Sequence, residues 1–285
     1  MGVRDIRELK GDKKAYAAEL ARRWRGLLSY RYIGRRYADM DLGEGIDSSV
    51  EVRHDFRNST GGLLVAPLAI SSPEGGGITD LEAVPNPVIH CTQILDPGYE
   101  VRRIEVVGAQ LRVGRQMSYS RSLIVDADDR SRVIAFTEGQ GASIGEVPAG
   151  LEKMPEHRLE IEDSPDLPPL WQVFGGSKRP TGHWSLPELS VEFASPDAAL
   201  HIGPQHIILE TAASDAARGL AGTDRLQIES AHVMFLARGK TGPFRVDAEA
   251  HPGSDGRIGV RSLLVDEGEG RTITSASHLF RSVPR

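Results

Sequence analysis

The chain has 285 residues, 39% of them hydrophobic and 26% charged, with a net charge of −6. That balance belongs to a folded globular protein and excludes a disordered, collagen-like or disulfide-stapled chain. The single cysteine, Cys91, has no intrachain partner and gives no reason to expect an oxidising compartment. No apolar run approaches the ~20 residues of a membrane helix, and the opening MGVRDIRELKGDKK has no apolar signal-peptide core, so a cytoplasmic protein is expected.

Residues 1–43 form a basic arm, with 11 Lys/Arg against 6 Asp/Glu over 1–41. Tyr16, Leu20, Trp24 and Leu28 recur every fourth residue and predict a helix packed on the body, with Asp12 as its N-cap. The acidic remainder argues against a nucleic-acid partner. A first unit, 44–150, opens with a strand near 48–54. The run Gly61-Gly62-Leu63-Leu64-Val65-Ala66 starts a helix that Pro67 should break and Pro73 should end. Strands follow near 88–95, 101–113, 117–126 and 132–139, where β-branched residues alternate with polar ones between Asp/Gly/Pro turns. Residues 151–187 hold six prolines and read as a linker. The second unit, 188–285, predicts a strand near 188–194 and a helix from Pro204 to Leu220 closed by Gly219 and Gly222. Its strands lie near 226–237, 243–250, 257–266 and 271–280.

The second unit repeats the first. Arg121–Asp126 reads RSLIVD and Arg261–Asp266 reads RSLLVD; SVEV at Ser49–Val52 pairs with SVEF at Ser190–Phe193; Gly114-Arg115 and Gly256-Arg257 precede the two RSL runs. Matches in one order at a nearly constant offset indicate an internal duplication. One strand, one helix and then an antiparallel meander is an α+β order and lacks the alternation of a parallel sheet.

With this organisation the halves resemble the hot-dog fold, and the whole resembles a tandem (double) hot-dog acyl-CoA thioesterase of the superfamily that includes the phenylacetic-acid-pathway type. The resemblance covers about 44–145 and 185–285. It implies an antiparallel sheet wrapped around a helix in each half. The single-domain members carry a pattern close to N-x-x-G-x-x-H-G-G, with an Asp nine residues after the His. In the second half Gly203-Pro204-Gln205-His206 matches G-x-x-H and Asp215 stands at the acid position, while Ile207 and Ile208 replace the glycines. In the first half Thr60-Gly61-Gly62 keeps the glycines, Ala69 stands at the acid position, and His54 and Arg57 take the Asn and inner Gly positions. The resemblance therefore implies one composite site, with Gly61 and Gly62 from one half and Asp215 from the other, and a dead counterpart.

In that site Asp215 would be general base or nucleophile, the Gly61 N–H an oxyanion donor, and His54 would orient water or substrate. Leu63, Leu64, Ile207 and Ile208 would wall an acyl tunnel. Arg57, with Arg102, Arg103 and Arg115, offers cations for coenzyme A, which enters only as part of the substrate. The expected partner is an acyl-CoA or acyl-carrier thioester, and a homodimer is left open. Cys91 reads as a structural thiol. No HExxH, CxxC or paired-carboxylate spacing proposes a metal. The rival readings are a non-catalytic acyl- or acyl-CoA-binding protein and an enoyl-CoA hydratase on the same fold, which would need His54 and Asp215 on opposite sides of one cleft; Asn86-Pro87-Val88-Ile89-His90 fails the D-x-N-P-x-H hydratase pattern, with one residue too many and no leading Asp.

Overall fold

The computed structural model describes residues 6–9, 11, 12, 14–16, 18, 19, 23, 26–34, 49–72, 84–144, 159–195 and 198–284. The first half supplies strands β1 (Ser49–Glu51), β2 (Val84–Ile94), β3 (Arg103–Val113), β4 (Met117–Asp126) and β5 (Val133–Ile144). The rest supplies β6 (Ser177–Lys178), β7 (Trp184–Leu186), β8 (Leu226–Phe235), β9 (Phe244–Pro252), β10 (Arg257–Asp266) and β11 (Arg271–Ser282). They form one antiparallel sheet in the order β1-β3-β4-β5-β2-β8-β11-β10-β9-β7-β6. The junction is β2 against β8, where His90 faces Val233 and Thr92 faces Ala231. Strand alternation decides the faces: on β10, Ile258, Val260, Ser262 and Leu264 are buried and point inward, and Arg261 and Leu263 point out.

The long strands lie where the alternating runs predict them. β2 starts earlier than predicted: Pro85 and Pro87 stand opposite Ser143 and Gly141 of β5, and a bulge follows between Pro87 and Ile89. The predicted strand near 188–194 is a turn ending in a single bridge from Ala194 to Leu200. The true counterpart of β1 is β7, inside the predicted linker: β1 pairs with the start of β3, and β7 pairs with the start of β9. The SVEV/SVEF likeness thus matched a strand to a turn.

Besides helical residues 14–16, 18, 19 and 23 in the arm, the α-helices are α1 (Leu28–Ile33), α2 (Val65–Ser71), α3 (Leu170–Val173) and α4 (Ile202–Ala221). α4 is the long one, ~30 Å at 1.5 Å per residue. His201 Nδ1 accepts from the Gly203 N–H at its start, and Gly222, at φ +65°, closes it as predicted. It packs on β9, β10, β11 and β8, while α2 packs on β2 and against α4. α2 begins at Val65 and not at the glycines, so Pro67 falls in its first turn. There the missing N–H costs no helical bond, and the helix is short but unbroken. Pro73 lies outside the described residues.

In the arm, Asp12 Oδ1 accepts from the Lys14 and Ala15 N–H groups as an N-cap should. Tyr16 is fully buried; Leu20 and Trp24 lie outside the described residues. Arg53 ties α1 to the first half. It makes a two-point pair with Asp55 at 3.1 Å, donates to the Tyr32 carbonyl, and lies 4.2 Å from the Phe56 ring centroid and 4.8 Å from that of Tyr32.

Candidate functional site

The residues that precede α2 form a self-contained turn. Asn58 Oδ1 accepts from the Thr60 N–H, the Thr60 hydroxyl and the Gly62 N–H. The Gly61 N–H donates to the Asn58 carbonyl at 3.0 Å. Gly61 needs to be glycine because its φ is +86°, and a Cβ on Gly62 would overlap the Gln227 carboxamide. Both amides are therefore spent inside the turn, and neither is free to serve as the expected oxyanion donor. Arg57 is spent as well: it donates to the carbonyls of Gly61, Gly98 and Val101 and clamps the turn to the β2–β3 loop.

Asp215 lies elsewhere. It pairs with Lys178 Nζ at 2.7 Å and accepts from Trp184 Nε1 at 3.2 Å, half-exposed beside β6 and β7. The glycine turn faces Gln227 on β8, four strand positions from β7, or ~19 Å at the usual spacing. The structure does not bring Asp215 together with Gly61 and Gly62. His54 is exposed and held by Asp163, through its backbone N–H at 2.8 Å and Nδ1 at 2.9 Å. Leu63, Ile207 and Ile208 are core residues with no free face, and Leu64 packs half-buried against the same core.

The carboxylate that meets the first half is Glu210. It is 3% exposed, and its two oxygens accept from the Val65 N–H at 2.8 Å and the Ala66 N–H at 2.7 Å. These are orphan donors of the first turn of α2. A side chain of one half thus grips backbone amides of the other. Burial pushes the Glu210 carboxyl up to about 7, against the pull of the two amides. Asp215 follows Glu210 by five residues and so points about 140° away around α4.

The sequence carried a signal for Glu210. It sits on the face shared by Ile202, His206, Leu209 and Ala213, all buried, and an acid inside an apolar helix stripe needs a partner. The motif spacing drew attention to the exposed face instead. The halves are also related differently from the motif alignment. Arg57 corresponds to Ala194, Leu63 to Leu200 and Val65 to Ile202, each pair 137 residues apart. By that relation Glu210 corresponds to Pro73, which has no carboxylate. The opposing start of α4 is filled by α1, with Ser29 Oγ 2.9 Å from His201 Nδ1 and the Tyr30 ring edge-on to His201.

Beside Glu210, one helical turn back, stands His206. Its Nε2 is 3.4 Å from His90 Nδ1 on β2, and His90 Nε2 is 3.2 Å from Ser72 Oγ. His278 on β11 is also buried, with Nδ1 unpartnered. Burial, reinforced by His90, His278 and His201, holds His206 well below its ordinary value; burial alone holds His278 at about 4. An unfolded chain protonates these imidazoles near 6.5, so between about pH 6.5 and 4 it binds more protons than the folded one and stability falls as pH falls. Glu210 acts oppositely, since its folded form takes a proton near 7 and its unfolded form near 4.5. His278→Gln should remove about 3 kcal/mol of acid sensitivity over that window. Urea midpoints at pH 7 and pH 4 check this; an unchanged difference between the two midpoints contradicts it.

Among the described residues no group of three or more His, Cys, Asp or Glu is arranged to hold a metal ion, and no helix is long and apolar enough to cross a membrane. Cys91 is half-buried on the outward side of β2, its thiol pushed up by burial and then by Glu138, which makes it a poor nucleophile. Arg115 and Arg112 line an open depression of about 410 Å³ at the β3–β4 hairpin.

No family model matches the chain, and no curated protein matches it. Solved structures do. One is an acyl-CoA thioesterase II, TesB2, from Mycobacterium marinum, with a TM-score of 0.56 at 12% identity over 90% of this chain and 98% of that one. Another is a tesB protein from Mycobacterium avium subsp. paratuberculosis, with 0.55 at 11% identity over 88% and 99%. A third, from Alicyclobacillus acidocaldarius, is described as a conserved protein of unknown function with a hot-dog fold, with 0.51 at 14% identity over 83% and 93%. The chain has the hot-dog fold. At these identities the likeness concerns the backbone alone, so on this hot-dog sheet the chemistry has to be argued from Glu210 and its surroundings.

Proposed function

We propose that the chain is a tandem pair of hot-dog units that hydrolyses an acyl-CoA or acyl-carrier thioester at one composite site, formed by Glu210 of the second unit and the Val65 and Ala66 amides of the first. The observation that carries this reading is the buried Glu210 carboxylate within 2.8 Å of two backbone N–H groups of the opposing half. A thioester carbonyl oxygen that took over one or both amides would be polarised by them. Burial pushes the Glu210 carboxyl up to about 7 while it holds the amides; displaced from them it loses two donors that favoured its charge and becomes the stronger base toward water. Water adds to the carbonyl carbon as Glu210 accepts its proton. The tetrahedral oxyanion rests on the amides, and its collapse expels the thiolate, which recovers the proton from Glu210. The solved thioesterases of like backbone support this reaction class. A cytoplasmic location fits it, and association into a homodimer is compatible with it.

The second reading is a non-catalytic acyl-binding protein, favoured by one fact: both carboxylate oxygens are already satisfied by amides, as in a structural cap. Release of free thiol from a panel of acyl-CoAs of increasing chain length separates the two. Turnover with at least one chain length supports hydrolysis. Binding without turnover across the panel supports the second reading.

A further inference from the structure

The duplicated sheet contains its own control for what the fold requires. Aligning RSLIVD with RSLLVD equates Ser122 with Ser262, and the strand registers carry the equivalence across each half. Ser118, Ser120, Thr137, Thr92 and His90 in the first half then correspond to Ile258, Val260, Ala276, Val233 and Ala231 in the second. All ten are buried. The second half fills these inward positions with apolar side chains, as a core should; the first fills them with hydroxyls and an imidazole. Two exchanges run the other way, Gly139 against His278 and Ala135 against Thr274, and the Thr274 hydroxyl is held by Gln205.

The polar half is not internally satisfied. Ser122 is 4% exposed and Thr137 is 1% exposed, they face each other across β4 and β5, and neither hydroxyl has a hydrogen-bond partner. A buried hydroxyl without a partner is costly; the second half repeats that cost at Ser262, whose hydroxyl is also unpartnered, but avoids it at Ala276, the counterpart of Thr137. Ser122, Thr137, Thr92, Ala231 and His278 follow one another along a single row. The row passes through β2 and β8, on which α2 packs, and ends on β11, on which α4, the carrier of Glu210, packs. Ser122 stands three strand positions from Ala231, ~14 Å. It contains no Lys or Arg, so a buried carboxylate there would lack a counter-charge.

We propose that the inward face of β4, β5 and β2 is an acyl subsite that takes a neutral oxygen, a hydroxyl or keto group on the acyl chain, through Ser122 Oγ and Thr137 Oγ1. This rests on the thioesterase reading and adds its substrate class. The test compares kcat/KM for saturated, β-hydroxy and ω-hydroxyacyl-CoA of equal chain length. A preference of about ten-fold or more for one oxygenated chain is expected. In the Ser122→Ala/Thr137→Val double variant the ratio should fall to about one. Equal rates for all three chains, or a ratio unchanged in the double variant, overturn the proposal. If the hydroxyls hold only internal water, the variant shifts Tm while the ratio stays at the wild-type value, which also overturns it. If no thioester is hydrolysed, it is the hydrolytic reading that fails. Calorimetric titration of the full chain with the same three acyl-CoAs, wild type against double variant, then decides the subsite by affinity ratio under the same criteria.

Discussion

Glu210→Gln is expected to lower kcat for thioester hydrolysis by about a hundred- to ten-thousand-fold, the range for losing a proton-transferring group. Glutamine keeps the shape and one acceptor for the Val65 and Ala66 amides, but its NH₂ cannot take a proton from water and would face an N–H that wants an acceptor. KM should move far less than kcat, because the change acts on the transition state. Glu210→Asp is the informative companion. It retains the acid but shortens the reach from α4 to α2, so partial activity with a displaced pH profile is expected. In the wild type the rate should rise through about pH 7 as the carboxyl ionises, following the raised pKa that burial imposes. If Glu210→Gln hydrolyses acyl-CoA at the wild-type rate, the carboxylate is only a cap across the two halves.

The sequence made the sheet legible, and for a physical reason. Alternation along β3, β4, β8, β9, β10 and β11 follows from one face being buried, and the Asp/Gly/Pro turns between them require backbone conformations that few residues supply. The resemblance implied one half lending a carboxylate and the other its amides; in the structure the carboxylate that meets amides of the first half is Glu210. The identity of those groups was not legible. A motif search favours glycine for an amide donor, yet Gly61 is glycine because of its positive φ, and its N–H is used within the turn. The amides that are offered belong to Val65 and Ala66, which any side chain would permit. The spacing to Asp215 counted along the chain, whereas the contact depends on which side of α4 faces α2; Glu210 and Asp215 sit on different sides. The polarity of β4 was visible as Ser118, Ser120 and Ser122 alternating with Tyr119, Arg121 and Leu123. Only the strand registers reveal that the hydroxyls are the inward set, since a one-residue slip reverses the faces.

Loss of the Asp266 carboxylate should produce the largest change in stability, about 4 kcal/mol for Asp266→Ala. Asp266 ends β10 fully buried and accepts from the backbone N–H groups of Lys240, Thr241 and Gly242 at 2.8–3.1 Å. It thereby joins the loop before β9 to the end of β10. Burial pushes its carboxyl up, but the amides of Gly242, Thr241, Lys240 and Glu269 outweigh it and hold the group below the ordinary carboxylate range. Its stabilisation is therefore complete above the unfolded value near 4 and is lost as pH falls through the folded one. Asp266→Asn, which retains one acceptor oxygen, should lose about half as much. Asp126, its counterpart in the repeat, accepts the Asp128 N–H and pairs more loosely with Arg132 at 3.5 Å, so Asp126→Ala should cost less than Asp266→Ala. Urea unfolding of the three variants checks the order. The same variants supply the control that Glu210 needs: Asp266 holds a loop and touches no group of the composite site, so kcat per folded molecule should stay near wild type in Asp266→Ala while stability drops. A parallel fall of kcat and stability in both Asp266→Ala and Glu210→Gln would mean that the loss at Glu210 reports unfolding, and the catalytic assignment would go with it.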